Sequence, residues 1–255
     1  MNADAIASLA NAAVAVEVVP ETGSTNADLL ARAPGLDGNL LLVAERQTAG
    51  RGRAGRSWLS AEGGSLTFSL AWKFNLPLHA LAGLPLAVGV ALAETLAALD
   101  VTVQLKWPND LLKDGAKLAG VLIETQGAGD GAIWAVIGVG LNLALPDELE
   151  ARIGSPAASA PWLANMPRDA LMGALLGHLA ASLRQFEQSG FAAFSARWNR
   201  LHAWQGCPVA VVDRGVILHE GVAAGVDDSG ALLLDGAFGR IAVNAGDVSL
   251  RAQGA

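Results

Sequence analysis

The sequence predicts an α/β (α+β) chain in two parts, a mixed sheet with flanking helices and then a small β domain. Strand-like and helix-like runs alternate over the first 203 residues, whereas short β-rich runs dominate from Gly206 onward. The chain has 255 residues, of which 52% are hydrophobic, and this is enough for one large core and one small appended domain. We therefore predict a boundary near Trp204, with domains at 1–204 and 205–255.

The larger domain begins with a β-branched, apolar run at 14–19, which predicts a buried strand. The turn at 23–26 then opens a predicted helix, in which Thr25 and Asp28 have the spacing of a capping box. That helix is expected to end near residue 32. The next elements are strands at 39–44 and 65–72 and a long helix at 80–99.

The remaining elements follow from the same periodicities. Strands are predicted at 101–106, 118–124 and 133–139, a less regular stretch rich in Ala, Pro and Ser at 146–167, and helices at 168–188 and 191–203. Beyond the boundary, β-rich runs at 208–212, 216–223, 231–234 and 240–243 are separated by Gly, Asp and Ser turns. Such spacing is typical of a small barrel.

Composition argues against several functions. The net charge of −7 disfavours a general affinity for nucleic-acid phosphates, so no DNA partner is expected. Cys207 is the single cysteine, which leaves no internal disulfide. The four histidines, at 79, 178, 202 and 219, lack the spacing of metal ligands, and we expect them to be structural.

No membrane segment or signal peptide is predicted either. Pro77, His79 and Pro85 interrupt the longest uncharged stretch, at 75–93. The N-terminal stretch carries Asp4 and has no basic flank. The expected location is therefore the cytoplasm.

The densest cluster of unusual residues is the segment 47–58, which we call the arginine loop. Together with the residue before it, this segment holds four arginines within eleven positions of an acidic chain, at 46, 51, 53 and 56. Intervening glycines let backbone N–H groups approach a ligand, and guanidinium groups bind phosphate or carboxylate oxygens in a bidentate way. The pattern predicts an anion-binding loop, although a solvated surface loop would have the same composition.

Two nucleotide-binding motifs do not explain this loop. The chain lacks the Gly-x-x-x-x-Gly-Lys pattern of a Walker A motif. Gly50, Gly52 and Gly55 do match Gly-x-Gly-x-x-Gly, but a further turn at 63–64 follows instead of a helix. Any nucleotide would have to bind in another way.

Two further segments carry candidate site residues. Lys106 and Asp110 lie in the run Lys-Trp-Pro-Asn-Asp, and Lys117 opens Lys-Leu-Ala-Gly; two of the four lysines of the chain are therefore close to one acidic residue. Taken singly, each of them is better explained as an ordinary surface residue. The third segment is Gly-Val-Gly-Leu-Asn at 138–142, whose glycines are also explained by a strand that approaches another backbone.

Taken in order, these segments resemble bacterial biotin protein ligases. The resemblance starts at Glu-Thr-Gly-Ser-Thr-Asn, residues 21–26, continues through the arginine loop and both lysine motifs, and ends at 138–142. It implies a catalytic domain like that of class II aminoacyl-tRNA synthetases, followed by an SH3-like barrel. Repressor members of the family carry an N-terminal winged helix-turn-helix, whereas 13 residues precede the first predicted strand here. The form without a DNA-binding module is implied.

The resemblance also implies a two-step reaction. Biotin and MgATP would give biotinyl-5′-AMP, from which biotin would pass to a lysine of the carrier domain of a carboxylase. The implied cofactors are therefore ATP and Mg²⁺, with biotin as the substrate. A homodimer is compatible with the sequence.

Residue roles are carried over by motif position. Biotin would be bound by Ser24, Thr25, Asn26, Gln47, Arg51, Gly52, Arg53 and Lys117. ATP or the adenylate would be bound by Arg51, Arg53, Arg56, Trp58, Lys106, Asp110, Lys117 and Asn142, the last at the adenine. Lys117, Arg53 and Lys106 would act in catalysis, and Asp110 would place the metal.

Three alternatives remain at this point. A lipoate or octanoate ligase shares the superfamily fold but carries a different arginine/glycine motif. A biotin-responsive DNA-binding regulator is disfavoured by the charge of −7. A protein that only binds biotin is disfavoured by the presence of Lys117 and Arg53.

Overall fold

The structure is a computed structural model that describes residues 1–60, 63–146, 152, 156–246 and 248–252. Seven strands form one sheet in the order β1-β2-β3-β7-β6-β5-β4. They are β1 (Ala15–Thr22), β2 (Leu40–Gln47), β3 (Ser65–Phe74), β4 (Gln104–Lys106), β5 (Asp110–Lys113), β6 (Ala116–Gly127) and β7 (Ile133–Asn142). Only β1 and β2 pair in parallel among these strands, so the sheet is mixed, as predicted.

Helices cover both faces of this sheet. They are α1 (Ala3–Ala10), α2 (Thr25–Arg32), α3 (Leu84–Ala97), α4 (Pro161–Ala164), α5 (Arg168–Ser189) and α6 (Ala192–Leu201). The α3, α5 and α6 helices bury their apolar side chains against one face, where β3 contributes Phe68 and Leu70. On the other face Leu29 of α2 packs with Leu42 and Ala71. Successive β3 residues therefore alternate between two different environments.

The segment Leu78–Ala97 is long and apolar enough to cross a membrane by length and composition alone. However, 72% of its most apolar window is buried inside the protein, where α3 packs in the main core. The sequence predicted one helix at 80–99, but the structure has a short 3₁₀ turn at Leu78–Leu81 before α3. Pro85 lies in the first turn of α3, a position where its missing N–H is not needed.

The predicted capping box of α2 was wrong by one residue. Ser24 is the N-cap, and its side chain accepts a hydrogen bond from the Ala27 amide. Asp28 instead accepts a hydrogen bond from the Thr22 hydroxyl. The other elements absent from the prediction are short, namely α1, α4, β5 and β12. Three of them contact longer neighbours, α1 with α5, β5 with β6 and β12 with β8.

The C-terminal part is a five-stranded antiparallel sheet in the order β11-β10-β9-β8-β12. Its strands are β8 (Pro208–Asp213), β9 (Val216–Val226), β10 (Leu232–Gly236), β11 (Gly239–Val243) and β12 (Ser249–Ala252). The buried Trp107 indole of the first domain donates to the Gly230 carbonyl at 3.2 Å. Asn199 of α6 makes two hydrogen bonds with the Val226 backbone, at 2.8 and 3.1 Å. These contacts hold the second sheet against the first domain.

Candidate active site

The arginine loop folds back on itself like a small hairpin. The Gly52 amide donates to the Arg56 carbonyl at 2.7 Å, and the Trp58 amide donates to the Gly50 carbonyl at 2.8 Å. A 3₁₀ turn at Arg53–Gly55 forms the tip, where Ala54 has φ 53° and ψ 38°. An alanine in this left-handed region is uncommon and indicates a tightly constrained turn. Residues of this loop line two cavities, which are described next.

The first cavity, which we call the inner cavity, lies between the N-terminus of α2 and the sheet. Its lining includes Ser24, Thr25, Asn26, Gln47, Arg51, Gly52, Arg53 and Lys117, all predicted to contact biotin. Ser24, Thr25 and Asn26 are buried because they form the start of a helix that packs on the sheet. Gln47 accepts a hydrogen bond from the Thr25 amide at 2.8 Å. The wall is therefore rich in hydroxyl and amide groups.

Two residues of this hydrogen-bond network were not among the predicted site residues, namely Ser69 in the cavity lining and Glu124 outside that lining. Ser69 of β3 is fully buried and donates to Asn26 Oδ1 at 2.9 Å. Glu124 of β6 accepts from Asn26 Nδ2 at 2.7 Å and from Arg51 at 2.8 Å. Ser65, Thr67 and Ser69 alternate along β3, and this polar period of two is the sequence feature that indicates a polar face.

Three glycines, two on β7 and one on β6, have a steric role. A Cβ atom at Gly138 would collide with the Asn26 side chain, and one at Gly140 would collide with the Trp58 indole. A Cβ at Gly120 would lie 2.9 Å from Lys117 Nζ. The glycines thus make room for side chains of the site. The alternative interpretation, a close approach between backbones, is not needed.

Trp58 lies across the junction between the inner cavity and the outer one described below. Its indole packs against Gly140, and Lys117 Nζ lies 5.7 Å from the ring centroid. The inner cavity consequently encloses only about 50 Å³. Among the described residues no acceptor faces the buried indole Nε1. A ligand of drug-like size would need Trp58 to move, because such ligands occupy cavities of roughly 300–1,000 Å³.

Three charged residues meet on the strands beside this junction. Asp110 lies 2.5 Å from Lys117 Nζ and 4.0 Å from Lys106 Nζ, and the side chains of Asp110 and Lys106 are less than one-fifth exposed. Burial lowers the pKa of Lys106, and Asp110 partly opposes this effect. Lys106 also lies over the Trp204 ring, at 5.0 Å from its centroid. The predicted pair of lysines is therefore assembled around one carboxylate.

The residues around Asp110 do not form a protein-only magnesium site. The described residues contain no group of three His, Cys, Asp or Glu side chains that could hold a metal ion. Asp110 is the carboxylate at this point, and both of its oxygens face ammonium groups. Magnesium commonly binds through substrate phosphates with only one or two protein carboxylates. The role of Asp110 in placing a metal ion stays a prediction.

The second cavity, the outer cavity, measures about 720 Å³ and adjoins the inner one. Arg56, Lys106, Asp110, Lys117 and Asn142, which were predicted to bind ATP or the adenylate, line it, whereas Arg51 lines the inner cavity but not this one. Its wall also includes cations and an aromatic ring that were not predicted to contribute, Arg152, Trp204 and Arg251. Because β12 was not predicted from the sequence, Arg251 could not be placed beside this cavity.

Asn142 is held at the end of β7, where its amide donates to the carbonyls of Lys117 and Ala158 at 3.4 and 3.1 Å. It is buried, yet it forms part of the outer cavity wall. The contact between Asn142 and adenine stays a prediction. Of the predicted irregular stretch at 146–167, residues 147–151 and 153–155 lie outside the described residues, and the described part contains the short helix α4.

Arg53 connects the two domains. Its guanidinium donates to Asn109 Oδ1 at 2.9 Å and to the carbonyls of Gly246 and Val248, which lie between β11 and β12. Asn109 is itself fixed by two hydrogen bonds with the Val121 backbone. The second domain therefore contacts the arginine loop directly, at a residue that borders both cavities.

Similarity to known proteins is consistent with this geometry. The profile of the biotin/lipoate A/B protein ligase family matches residues 16–142, and that of the biotin protein ligase C-terminal domain matches residues 206–251. The bifunctional ligase/repressor BirA of Escherichia coli is 37% identical over 86% of this chain and 69% of its own length. The biotin–[acetyl-CoA-carboxylase] ligase of Paracoccus denitrificans is 33% identical over 91% of this chain and 98% of its own length.

Solved structures show the same relationship. Biotin protein ligase from Aquifex aeolicus in complex with biotin and ATP superposes with a TM-score of 0.79 and 27% identity, covering 93% of this chain and 99% of that protein. The predicted architecture is thereby confirmed at the level of the fold. From the two family profiles and the full-length relatives, the chain belongs to the biotin protein ligase family.

Proposed function

We propose that this chain activates biotin with MgATP to give biotinyl-5′-AMP and then transfers biotin to a lysine of a carrier protein. The observation that carries the proposal is the junction of a polar inner cavity with a cationic outer cavity. Both cavities are lined by Gly52, Arg53, Trp58, Asn109 and Lys117. A carboxylate extending from the inner cavity would therefore meet a phosphate in the outer one. Relatives named as ligases, and one structure with biotin and ATP, support this pairing of substrates.

The inner cavity suits the ureido ring of biotin. A cyclic urea offers one carbonyl acceptor and two N–H donors, which match hydroxyl and amide side chains. Ser24, Thr25 and Gln47 supply such groups at the buried end. The dithiolane ring of lipoate has no N–H donor and would leave these polar groups unpaired, at a cost of about 1–3 kcal/mol each. Biotin is therefore the better substrate on this observation.

The first chemical step joins two anions. A biotin carboxylate oxygen forms a bond to the α-phosphorus, and the bond to pyrophosphate breaks. Lys117 and Arg53 border both cavities and would offset the negative charge that concentrates between the reactants. Lys106 and Arg56 would hold the departing phosphates in the outer cavity. Magnesium would enter as part of MgATP, because the described residues offer no cluster of metal ligands.

The second step forms an amide. The amine of the carrier lysine attacks the acyl carbon of the adenylate, AMP leaves with the bonding electrons, and the amine loses a proton. The arginine loop would protect the anhydride from water until the carrier arrives. We propose a biotin carboxyl carrier domain as this partner, on the strength of relatives named as acetyl-CoA-carboxylase ligases. A cytoplasmic location belongs to the same proposal, with which a homodimer is compatible.

Exchange of labelled pyrophosphate into ATP tests the first step without a carrier. We expect exchange with biotin and none above background with lipoate or octanoate. Exchange with lipoate alone would favour the superfamily alternative. Biotin binding without exchange would indicate a binding protein. A gel-shift assay at low salt separates the DNA-binding regulator, for which we expect no shifted band.

A further inference from the structure

We propose that Glu124 sets the donor and acceptor directions of the inner cavity and thereby positions the groups that recognise a cyclic urea. Glu124 lies on β6, outside the residues expected to touch biotin, and its carboxylate contacts Asn26 and Arg51. It would act through Asn26, Ser69 and Thr25 as a positioning residue. The inference rests on the proposed function, because it concerns recognition of the same substrate.

The direction of the first hydrogen bond follows from chemistry. An ionised carboxylate only accepts hydrogen bonds, so the part of the Asn26 amide that faces Glu124 must be Nδ2, at 2.7 Å. The carbonyl oxygen Oδ1 is then turned toward Ser69, 2.9 Å away. The charge on Glu124 thus fixes the orientation of an amide that would otherwise be free to rotate by half a turn.

The rest of the chain of hydrogen bonds follows from counting protons. Oδ1 of Asn26 cannot donate, so the Ser69 hydroxyl gives it its one proton. The contact of 2.7 Å between Ser69 and Thr25 must then be donated by Thr25. The Thr25 hydroxyl has no second proton for Gln47 Oε1, 3.1 Å away, which already accepts from the Thr25 amide. Thr25 Oγ1 is left as an acceptor in the cavity wall.

This direction matches the substrate. A ureido N–H needs an acceptor, and Thr25 Oγ1 would provide one. Ser24 uses a lone pair to cap α2 and keeps its hydroxyl proton for donation, which suits the ureido carbonyl. If the hydrogen bonds ran the other way, Thr25 would accept from Ser69 and donate to Gln47 Oε1, 3.1 Å away. Thr25 Oγ1 and Gln47 Oε1 would then each have one lone pair fewer to offer to a ureido N–H, and a buried donor without an acceptor is costly.

Glu124 also connects the cavity to the arginine loop. Its second oxygen forms an ion pair with Arg51 at 2.8 Å. Replacing Glu124 therefore alters hydrogen bonds both in the inner cavity and in the arginine loop, whereas replacing Ser69 alters those of the cavity alone. The two residues accordingly provide separable tests of the same network.

The decisive variant is Glu124→Gln, which keeps the shape but removes the charge. A glutamine at this position has two possible orientations. If its NH₂ group faces Asn26, the Asn26 amide must turn over and the hydrogen bonds reverse. If its oxygen faces Asn26, its NH₂ group faces Arg51 and the ion pair is lost. We expect biotin binding without ATP, measured by isothermal titration calorimetry, to weaken about tenfold or more. Preference for biotin over an analogue methylated at one ureido nitrogen should shrink as well, a change that simple loss of stability would not produce.

The experiment also needs the Ser69→Ala variant, the double variant of Glu124 and Ser69, and a control. Ser69→Ala should weaken biotin binding to a similar degree but leave proteolysis near Arg51 as in the unaltered protein. The double variant should lose less than the product of the two single losses, because both interrupt one chain of hydrogen bonds. Glu17→Gln is the matched control, because it also removes one carboxylate of a Glu–Arg pair, but on the surface. Thermal unfolding of each variant checks that the fold persists.

The outcomes are distinguishable. Binding of biotin by Glu124→Gln within twofold of the unaltered protein, with unchanged discrimination against the methylated analogue, would overturn the inference and leave the proposed function intact. Failure of the unaltered protein to bind biotin at all would instead overturn the proposed function. If the fold-loss of biotin affinity in the double variant equalled the product of the two single losses, Glu124 and Ser69 would act independently. That result would also overturn the inference.

Discussion

The inner and outer cavities differ in the chemistry of their walls and in the number of domains that supply them. The inner wall combines hydroxyl and amide groups on α2, β2 and β3 with the cations Arg51, Arg53 and Lys117, all within one domain. The outer wall is made of cations and aromatic rings, and it includes Arg251 from the C-terminal sheet. Shape and hydrogen-bond direction therefore select a ligand in the first, whereas charge concentrates phosphate in the second.

The same contrast extends to mobility. The inner wall is held by a helix cap and by strand pairing in the centre of the sheet. The junction between the cavities is covered by the arginine loop. Backbone hydrogen bonds hold the start of this loop, at Thr48 and Ala49, whereas its tip contacts the rest of the chain through side-chain hydrogen bonds such as those of Arg51 and Arg53. We infer that substrate selection depends on the rigid part and protection of the intermediate on the loop. The following experiments test that division, from the largest expected effect to the smallest.

Replacing Lys117 should have the largest effect, because this ammonium group borders both cavities. We expect Lys117→Ala to lower the single-turnover rate of adenylate formation by about a hundredfold or more, on the scale of losing one preorganised donor. Biotin affinity measured without ATP should change much less. Lys117→Arg should restore little, since a planar guanidinium group does not replace a point charge.

Lys113→Ala is the control for this experiment. Lys113 pairs with Asp114 at 2.6 Å and lies over the Trp162 ring, away from the lining of either cavity. We expect near-normal adenylation. If Lys117→Ala also kept a near-normal rate, the assignment would be wrong and Lys106 would become the leading candidate for the chemical step.

Gly140→Ala tests whether the rigid strand determines the position of the loop. The added methyl group would collide with the Trp58 indole, which lies against β7. Overpacking of this kind costs about 1–3 kcal/mol, so we expect the adenylate to be released roughly tenfold faster. Release can be followed by rapid filtration after adenylate formation. Gly127→Ala, at the far end of β6 where a Cβ meets nothing, is the matched control. Equal release from both variants would contradict the prediction.

The sequence predicted the positions of the long elements well because their periodicities are local. It also identified the arginine loop and both lysine motifs, since an unusual density of charge is visible without a structure. Glu124 and Arg251 were missed for a different reason. Their proximity to the site depends on strand pairing and on docking of the second sheet, and no local pattern encodes either. The one-residue error at the α2 cap arose because both Ser24 and Thr25 are suitable N-cap residues.

Arg53→Gly should separate binding from protection. The variant loses the contacts to Asn109 and to the segment between β11 and β12, so the loop should close less firmly. We expect several-fold weaker retention of the adenylate, because the loop keeps its other hydrogen bonds, such as that from Arg51 to Glu124, and because charged contacts near the surface contribute about 1 kcal/mol or less. Lysines on bystander proteins should then be biotinylated by escaped intermediate. A blot of a mixed-protein reaction with no increase in non-carrier labelling would refute this expectation.

The smallest expected effect is a displacement of the alkaline limb of the pH–rate profile, caused by Lys106. Burial lowers the pKa of this lysine, opposed by Asp110 and reinforced by Arg251, Lys117 and Arg56. The ammonium form exists below that pKa and is lost as the pH rises through it, so activity that depends on the charge should decline at lower pH than for an exposed lysine. Bound ATP should counter the shift, because phosphate stabilises the ammonium form, and kcat should therefore decline at higher pH than kcat/KM. Lys106→Arg keeps its charge throughout this range and should remove the decline even though its basal rate is lower. An alkaline limb unchanged in Lys106→Arg would assign the titration to another group, leaving Lys106 to contribute only through its packing on Trp204.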